Sequence, residues 1–456
     1  MARGFAARYS WSVVPAILIL IITACTGGGT SSPAESDAET SAPDESQAPD
    51  ESQGADGGSL SGSITVVHAW AGAEGEAFQS VVDGFTDANP DVTVELVQVP
   101  FADLNSQMIQ QFAAGTPPDV VSTLPGLIHS LAAQDLLLPL DDIWDEWVTN
   151  EEYNESVRTI GSHDGTAYGV FFKGNVNGLI WHLTAVMDEL SISAPADWDE
   201  FTGALDEIQA DGTYDPFAVG AADVWVPTQW SDAFLARSAG ADVFNGLIDG
   251  SVAFDDPAVV EAFTTMADFM ESYWPEDALD VGFTEANCAW ASEGKAVFQN
   301  QGAFVNLTTP ANCGEELDPA TDYTFFEMPA PNPDFADVHF VSGDLFSVAK
   351  ATENPDAAKA FARYLGSAEA QSVWAALGGF IAPNATVDPG VYPTENDRKA
   401  AELFSSGAQV YDLDDAIGGE IQSVYREQLA SLIGSGDVDA FIQAMVEVDE
   451  RVRGGE

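Results

Sequence analysis

Tyr168-Gly169-Val170-Phe171-Phe172-Lys173-Gly174-Asn175-Val176-Asn177-Gly178-Leu179-Ile180-Trp181 is an apolar, aromatic strand pattern broken once and then resumed. The first run ends at Lys173-Gly174-Asn175, and the second passes through Leu179-Ile180-Trp181. A segment of this kind can leave one sheet and enter another, with Gly174 and Gly178 giving the backbone freedom to bend. Lys173 stands at the break in a chain that holds 14 Lys and Arg against 74 Asp and Glu. A lone cation between apolar strands reads either as a snorkelling surface lysine or as a polar finger at the floor of a cleft between two lobes. Its place at the crossover favours the cleft.

Composition limits what the chain can do. The formal charge is -60, which excludes nucleic-acid binding by phosphate neutralisation and an electrostatic hold on an anionic membrane. Hydrophobic residues make up 46% and aromatics 10%, enough for a globular chain with two or three cores. The three cysteines share no CxxC, and the five histidines (His68, His129, His163, His182, His339) are scattered. No zinc or other metal site and no cofactor is expected.

The N-terminus reads as an address followed by a tether. Arg3 and Arg8 precede an apolar run from Val13 to Ile22, and Ile22-Thr23-Ala24-Cys25 follows. Basic, apolar and small residues in that order form a signal peptide over 1–24, with a run short for a membrane span. Small residues ending at a cysteine resemble the bacterial lipobox, which implies that Cys25 carries the lipid anchor, palmitate among its acyl chains. From 25 to 62 the chain holds Gly, Ser, Pro, Ala, Asp and Glu but no Lys, Arg or aromatic residue, and Ala42-Pro43-Asp44-Glu45-Ser46-Gln47 repeats at Ala48 to Gln53. Such a stretch cannot bury a core and reads as a disordered leash reaching on the order of 30 Å.

Beyond the tether, Ile64 to Trp70, Val92 to Val99 and Asp119 to Ser122 read as strands, with helices over Glu74 to Ala88 and Asp103 to Ala114 between them. That alternation implies a parallel sheet with crossover helices, whose ligands sit at the carboxyl ends of the strands. Those ends carry Trp70-Ala71-Gly72-Ala73-Glu74 and Ser122-Thr123-Leu124-Pro125.

The order and spacing of several pieces resemble the extracellular solute-binding proteins of ABC importers, of the maltose- and alpha-glucoside-binding type. The pieces are His68 to Phe78, Phe85-Thr86-Asp87-Ala88-Asn89-Pro90, Phe112 to Val120, Leu136 to Asp141 and Gly165 to Val170. They continue with Pro195-Ala196-Asp197-Trp198-Asp199-Glu200-Phe201, which opens a helix to about Ala210. Trp225-Val226-Pro227-Thr228-Gln229-Trp230 is similar to the WPLTDW stretch of alpha-glucoside-binding members, departing by Gln229 and an extra valine, and a helix is expected after it to Arg237. Ala286 to Phe298 and Gly302 to Val305 resemble a further family signature, in which Phe304 stands where an aromatic meets the sugar. Val341 to Val348 resembles the strand that returns to the first lobe, and Gly378 to Asn384 the segment after it. Phe217 to Val219 reads as a short strand, and Pro355–Leu365, Ala368–Leu377, Asp397–Phe404 and Ile421–Ile433 as helices.

The resemblance implies an α/β fold of periplasmic-binding-protein type (type 2), two lobes with mixed sheets and crossover helices around a hinged cleft. Lobe 1 is expected over 63–172 and 340–378, and lobe 2 over 173–339 and 379–456. Three chain crossings at one hinge would let the lobes rotate. The ligand is expected to be a neutral sugar, an alpha-linked di- or oligosaccharide, held by Trp70, Glu74, Thr123, Lys173, Trp225, Phe304, Gly343 and Asp344. Trp225 and Phe304 would face the C–H side of the rings, while Lys173, Glu74 and Asp344 take hydroxyls. Cys288 and Cys313 lie 25 positions apart in a chain read as exported, so a disulfide worth about 3 kcal/mol is expected, leaving Cys25 over. The expected protein is a monomer with no catalytic residues, partnered by a permease and, through Cys25, by the outer face of the cell membrane. The alternatives are a secreted carbohydrate hydrolase and a receptor for a non-sugar solute. No nucleophile elbow and no P-loop spacing is present, and carboxylates are too abundant for any pair of them to mark a glycosidase.

Overall fold

The computed structural model describes residues 60–314 and 317–454. The signal segment, Cys25 and all but the last residues of the tether lie outside the described residues. The folded unit begins inside the stretch read as tether, because Leu60 packs on a core and Gly62 opens the first strand.

Strands β1 (Gly62–His68), β2 (Val92–Gln98) and β3 (Val120–Thr123) pair in parallel, with β1 in the middle. The helices Gly72–Ala88 and Phe101–Ala113 make the crossovers, and the first buries Ala77, Phe78, Val81, Val82 and Phe85 along one stripe. Continuous Val and Ile in β1 and β3 suit strands covered on both faces. The crossover segment divides as its pattern predicts into β4 (Gly169–Val176) and β5 (Leu179–Leu183). Gly178 sits between them at φ 70°, a conformation that favours glycine. Gly174 serves differently: a Cβ there would meet the Phe404 ring at 2.8 Å, so it provides room rather than a turn.

Further along come β6 (Asp215–Phe217), β7 (Ala296–Gln301), β8 (Tyr323–Glu327), β9 (Val338–Val348) and β10 (Ala408–Tyr411). One sheet runs β10-β9-β3-β1-β2, with β4 also bonded to β9, a second runs β8-β5-β7-β6, and Ser162–His163 pairs with Thr166–Ala167 in a small two-stranded sheet. The first sheet is mixed, since β9 is antiparallel to both β3 and β4. Of the two halves of the crossover, β4 belongs to the first sheet and β5 to the second.

Each of the two larger sheets has its own core. Phe78, Phe172, Phe346, Phe361 and Trp374 belong to one buried cluster, and Phe201, Trp230, Phe263, Phe298 and Phe441 to another. A third, smaller cluster of Val176, Trp181, Trp290, Tyr323 and Ile381 sits on the elements beside the crossover. The result is a two-lobed α/β fold with mixed sheets. Along 379–456 the allegiance is divided: β10 bonds to β9 in the first sheet, while its Val410 is buried in the second cluster.

Two local expectations are corrected. The short strand lies at Asp215–Phe217 rather than Phe217 to Val219. The helix expected after Trp230 begins at Trp225 and runs to Ala239, because it is buried on nearly every side and shows no amphipathic stripe.

Candidate functional site

The loop after β1, the end of β3, the bend of β4 and the middle of β9 converge on one cavity of ≈ 260 Å³. Facing them are the helix Trp225–Ala239, the start of the helix Phe283–Ala291, Phe304 with the helix Val305–Cys313, and Asp412, Asp415 and Arg426 from the C-terminal part. The carboxyl ends of β1 and β3 therefore do open on the cavity, as the rule for open α/β sheets requires.

A charged trio forms the floor. β4 and β9 shift register between Asp344 and Leu345, a bulge that sets Lys173 directly opposite Asp344. Lys173 donates to Glu74 at the start of the helix Gly72–Ala88, and its ammonium lies 4.9 Å from the Trp374 ring centre and 5.7 Å from that of Trp70. It is only 5% exposed. That burial sets aside the snorkelling surface lysine: Lys173 lines the cavity and also holds a carboxylate. Burial pushes Asp344 up to about 6, with Glu74 raising it further, against the pull of Lys173 and a hydrogen bond from Trp70. Gly343 contributes backbone, since a Cβ would meet the Phe171 ring at 2.2 Å.

The opposite wall is aromatic. Trp225, Phe283 and Phe304 form a triangle with ring centres 5.1 to 5.9 Å apart, each half-buried with a side left for a ligand. Trp70 is different in kind: at 6% exposure it is packed among Phe78, Phe172, Phe346 and Trp374 and shows the cavity only an edge.

Between floor and wall runs a chain of amides. Asn175 Nδ2 donates to Asn177 Oδ1 at 2.6 Å, Gln229 Nε2 donates to the same oxygen at 3.2 Å, and Asn177 Nδ2 donates to Ser342 Oγ at 2.8 Å. Gln229 lines the cavity, and its Oε1 is buried with no protein partner. On the C-terminal side, burial and Asp414 push Asp415 up to about 7, and burial, with Asp415 beside it, holds Asp412 well above the usual carboxylate range. Arg426 is bound to Asp414 and Asp415.

Seven of the eight expected ligand residues line this cavity: Trp70, Glu74, Lys173, Trp225, Phe304, Gly343 and Asp344. Thr123 does not. Its hydroxyl points into the sheet, 3.1 Å from Ser347 Oγ and 3.4 Å from the Leu345 carbonyl, because successive strand residues face opposite ways. Its neighbour Leu124 reaches the cavity instead. Phe283, Gln229, Ser342, Asp412, Asp415 and Arg426 are additional lining residues. Gln229 had a signal in the sequence, as the departure from WPLTDW; the aspartates had none, lying in a chain with 74 acidic residues. Cys288 and Cys313 form the expected disulfide, with Cα atoms 4.9 Å apart, and join the two helices that carry Phe283 and Thr308.

The sequence model of the bacterial extracellular solute-binding proteins matches residues 69–372 of the chain. The chain belongs to that family. Among curated relatives, this solute-binding protein is 26% identical to the alpha-glucosides-binding periplasmic protein AglE of Rhizobium meliloti, over 84% of this chain and 86% of that one. It is 24% identical to the xylose/arabinose-binding protein XacG of Haloferax volcanii, over 73% and 72%. Among solved structures, the solute receptor AcbH, described as preferring b-D-galactopyranose, superposes at a TM-score of 0.76 with 21% identity, over 86% of this chain and 98% of that one. The GacH receptor of Streptomyces glaucescens, solved with acarbose, superposes at 0.73 with 21% identity, over 86% and 98%. At these identities the structural likeness speaks for the two-lobed fold of this solute-binding protein and for nothing finer.

Proposed function

We propose that this chain is the extracytoplasmic receptor of an ABC importer and binds a neutral sugar in the cavity between its two cores. The observation that carries this is the pairing of two walls of opposite character. The Trp225, Phe283 and Phe304 triangle offers apolar faces to the C–H side of a pyranose ring. Across from it, Glu74, Lys173 and Asp344 offer partners for hydroxyl groups. A volume near the lower end of small-molecule sites, about 300 Å³, favours one or two sugar rings over a long chain, so an alpha-linked disaccharide is the first choice. The class is supported by AglE, XacG, AcbH and GacH, receptors for alpha-glucosides, xylose/arabinose, b-D-galactopyranose and acarbose respectively.

The sugar is bound without being turned over and is handed to the permease by lobes that close on it as a monomer. A thermal-shift panel of mono- and disaccharides, amino acids and short peptides tests the reading. A sugar should raise the melting temperature, because a ligand that binds only the folded state stabilises it, and alpha- and beta-glucosides should remain intact after incubation. A shift with a peptide and none with any sugar would overturn the sugar class, and release of glucose would favour a hydrolase.

Cys25 is proposed to carry the lipid anchor, with the acidic stretch behind it as the leash. In cells, Cys25→Ser should move the folded protein from the membrane fraction to the medium. Retention of the variant on membranes would refute the anchor.

A further inference from the structure

Behind the cavity wall four carboxylates are packed against a single guanidinium. Asp232 lies on the helix Trp225–Ala239, one turn beyond Gln229, and Asp412, Asp414 and Asp415 lie on the return after β10. None of the four is more than 7% exposed. Arg426 is committed to Asp414 Oδ2 at 2.6 Å and Asp415 Oδ1 at 2.9 Å, and the Gln422 amide donates to the same two oxygens. Asp232 accepts from the Leu413 N–H at 2.8 Å and from the Ser231 and Tyr425 hydroxyls at 3.2 and 3.3 Å. These are neutral donors, so its charge is not balanced. Asp412 accepts from the Asp415 N–H at 3.4 Å. Asp414 Oδ1 is buried with no partner at all. One carboxylate oxygen each from Asp232, Asp412 and Asp414 lies within 4.8 Å of the other two.

Buried carboxylates without a counter-charge are costly, and the usual resolutions are pairing or metal coordination. The donor set here is oxygen alone, which suits a hard cation and not zinc. A buried set of three carboxylates suits Ca²⁺, which accepts flexible oxygen ligation, better than Mg²⁺, which dehydrates reluctantly and is usually held by one or two carboxylates and several waters. We propose that Asp232, Asp412 and Asp414 bind one Ca²⁺ ion, with the free Asp414 Oδ1 as its most committed ligand. The ion would tie the helix bearing Trp225, Thr228 and Gln229 to the C-terminal return bearing Asp415, and so would brace one wall of the cavity from behind. This holds whatever solute the cavity takes.

The test uses the folded chain after chelator treatment, in about 0.5 M NaCl to screen the acidic surface. Titration calorimetry should find one saturable Ca²⁺ site per chain, and chelation should lower the melting temperature by several degrees, with recovery on adding Ca²⁺ but not on adding the same concentration of Mg²⁺. Tb³⁺ should give luminescence sensitised through Tyr425, lost when Ca²⁺ is added in excess. Asp414→Asn should abolish the stoichiometric site. Because Asp414 also holds Arg426, Asp412→Asn is the second variant: its side chain takes no ion pair, and it should weaken Ca²⁺ at least tenfold with an unchanged circular dichroism spectrum. Diffuse, salt-sensitive binding alone, a melting temperature indifferent to chelator, or wild-type affinity in the Asp412→Asn variant would each overturn the proposal.

Discussion

Desolvation of Asp344, half-buried in the cavity floor beside Glu74, pushes its pKa up to about 6, well above an ordinary aspartate. The direction of the resulting pH effect follows from linkage. Between about pH 4 and pH 6 the folded chain holds a proton at Asp344 that the unfolded chain has released, so this group's contribution to stability falls as pH rises through that window. The loss is at most about 3 kcal/mol. In Asp344→Asn the contribution should vanish, so the variant should gain on the wild type in melting temperature between pH 4 and pH 7. A constant difference across that range would mean that Asp344 titrates normally. At this scale legibility depended on scarcity. Trp225 and Phe304 came through the resemblance to sugar-binding receptors, whereas Lys173 could be picked out because cations are few. Asp412 and Asp415 were invisible for the opposite reason, and Thr123 misled because a strand end points both ways and only the register decides which residue meets the cavity.

Among the elements, β4 brings Lys173 and Asn175 to the cavity and leads from the first sheet into the second, so its one cation has two duties. The ion pair of Lys173 with Glu74 fastens the helix Gly72–Ala88 to the crossover, with side chains 6% and 18% exposed. Lys173→Ala would leave Glu74 and Asp344 facing each other in a largely dry site, and removing one partner of a buried pair typically costs about 3–5 kcal/mol. Since Glu74 keeps some contact with water, a loss near the lower figure is expected by chemical denaturation, with Lys173→Arg recovering a good part of it. A variant as stable as the wild type would show the pair to be dispensable. Elements with clear periodicity could be read from the sequence nearly to the residue, Pro355–Leu365 among them. The helix Trp225–Ala239 was read late because packing surrounds it: Thr228, Gln229, Ser231, Asp232 and Arg237 are all buried, and their polarity, which looks like a loop in sequence, serves contacts on every side.

For the molecule as a whole, the alternation of strand and helix led to a parallel sheet, and the antiparallel return of β9 makes it mixed. The pattern of single strands carries no sign of direction; only the resemblance to known receptors supplied the return. What the whole fold achieves is to bring a polar floor from the first sheet's side and an aromatic wall, packed on the second and third clusters, to the same cavity. That junction is the central claim about function, and calorimetric titration of the best sugar from the panel into wild-type chain, Gln229→Leu and Trp225→Ala tests it most directly. The two positions sit on one wall; Trp225 is half-buried at a helix start, while Gln229→Leu gives up the Nε2 hydrogen bond to Asn177, so the melting temperature of each variant is measured alongside to check that it folds. Gln229→Leu should weaken binding about tenfold, the worth of one neutral hydrogen bond, and Trp225→Ala by more, through the lost stacking face. Wild-type affinity in both variants, with a sugar that does bind, would place the ligand elsewhere and contradict the account.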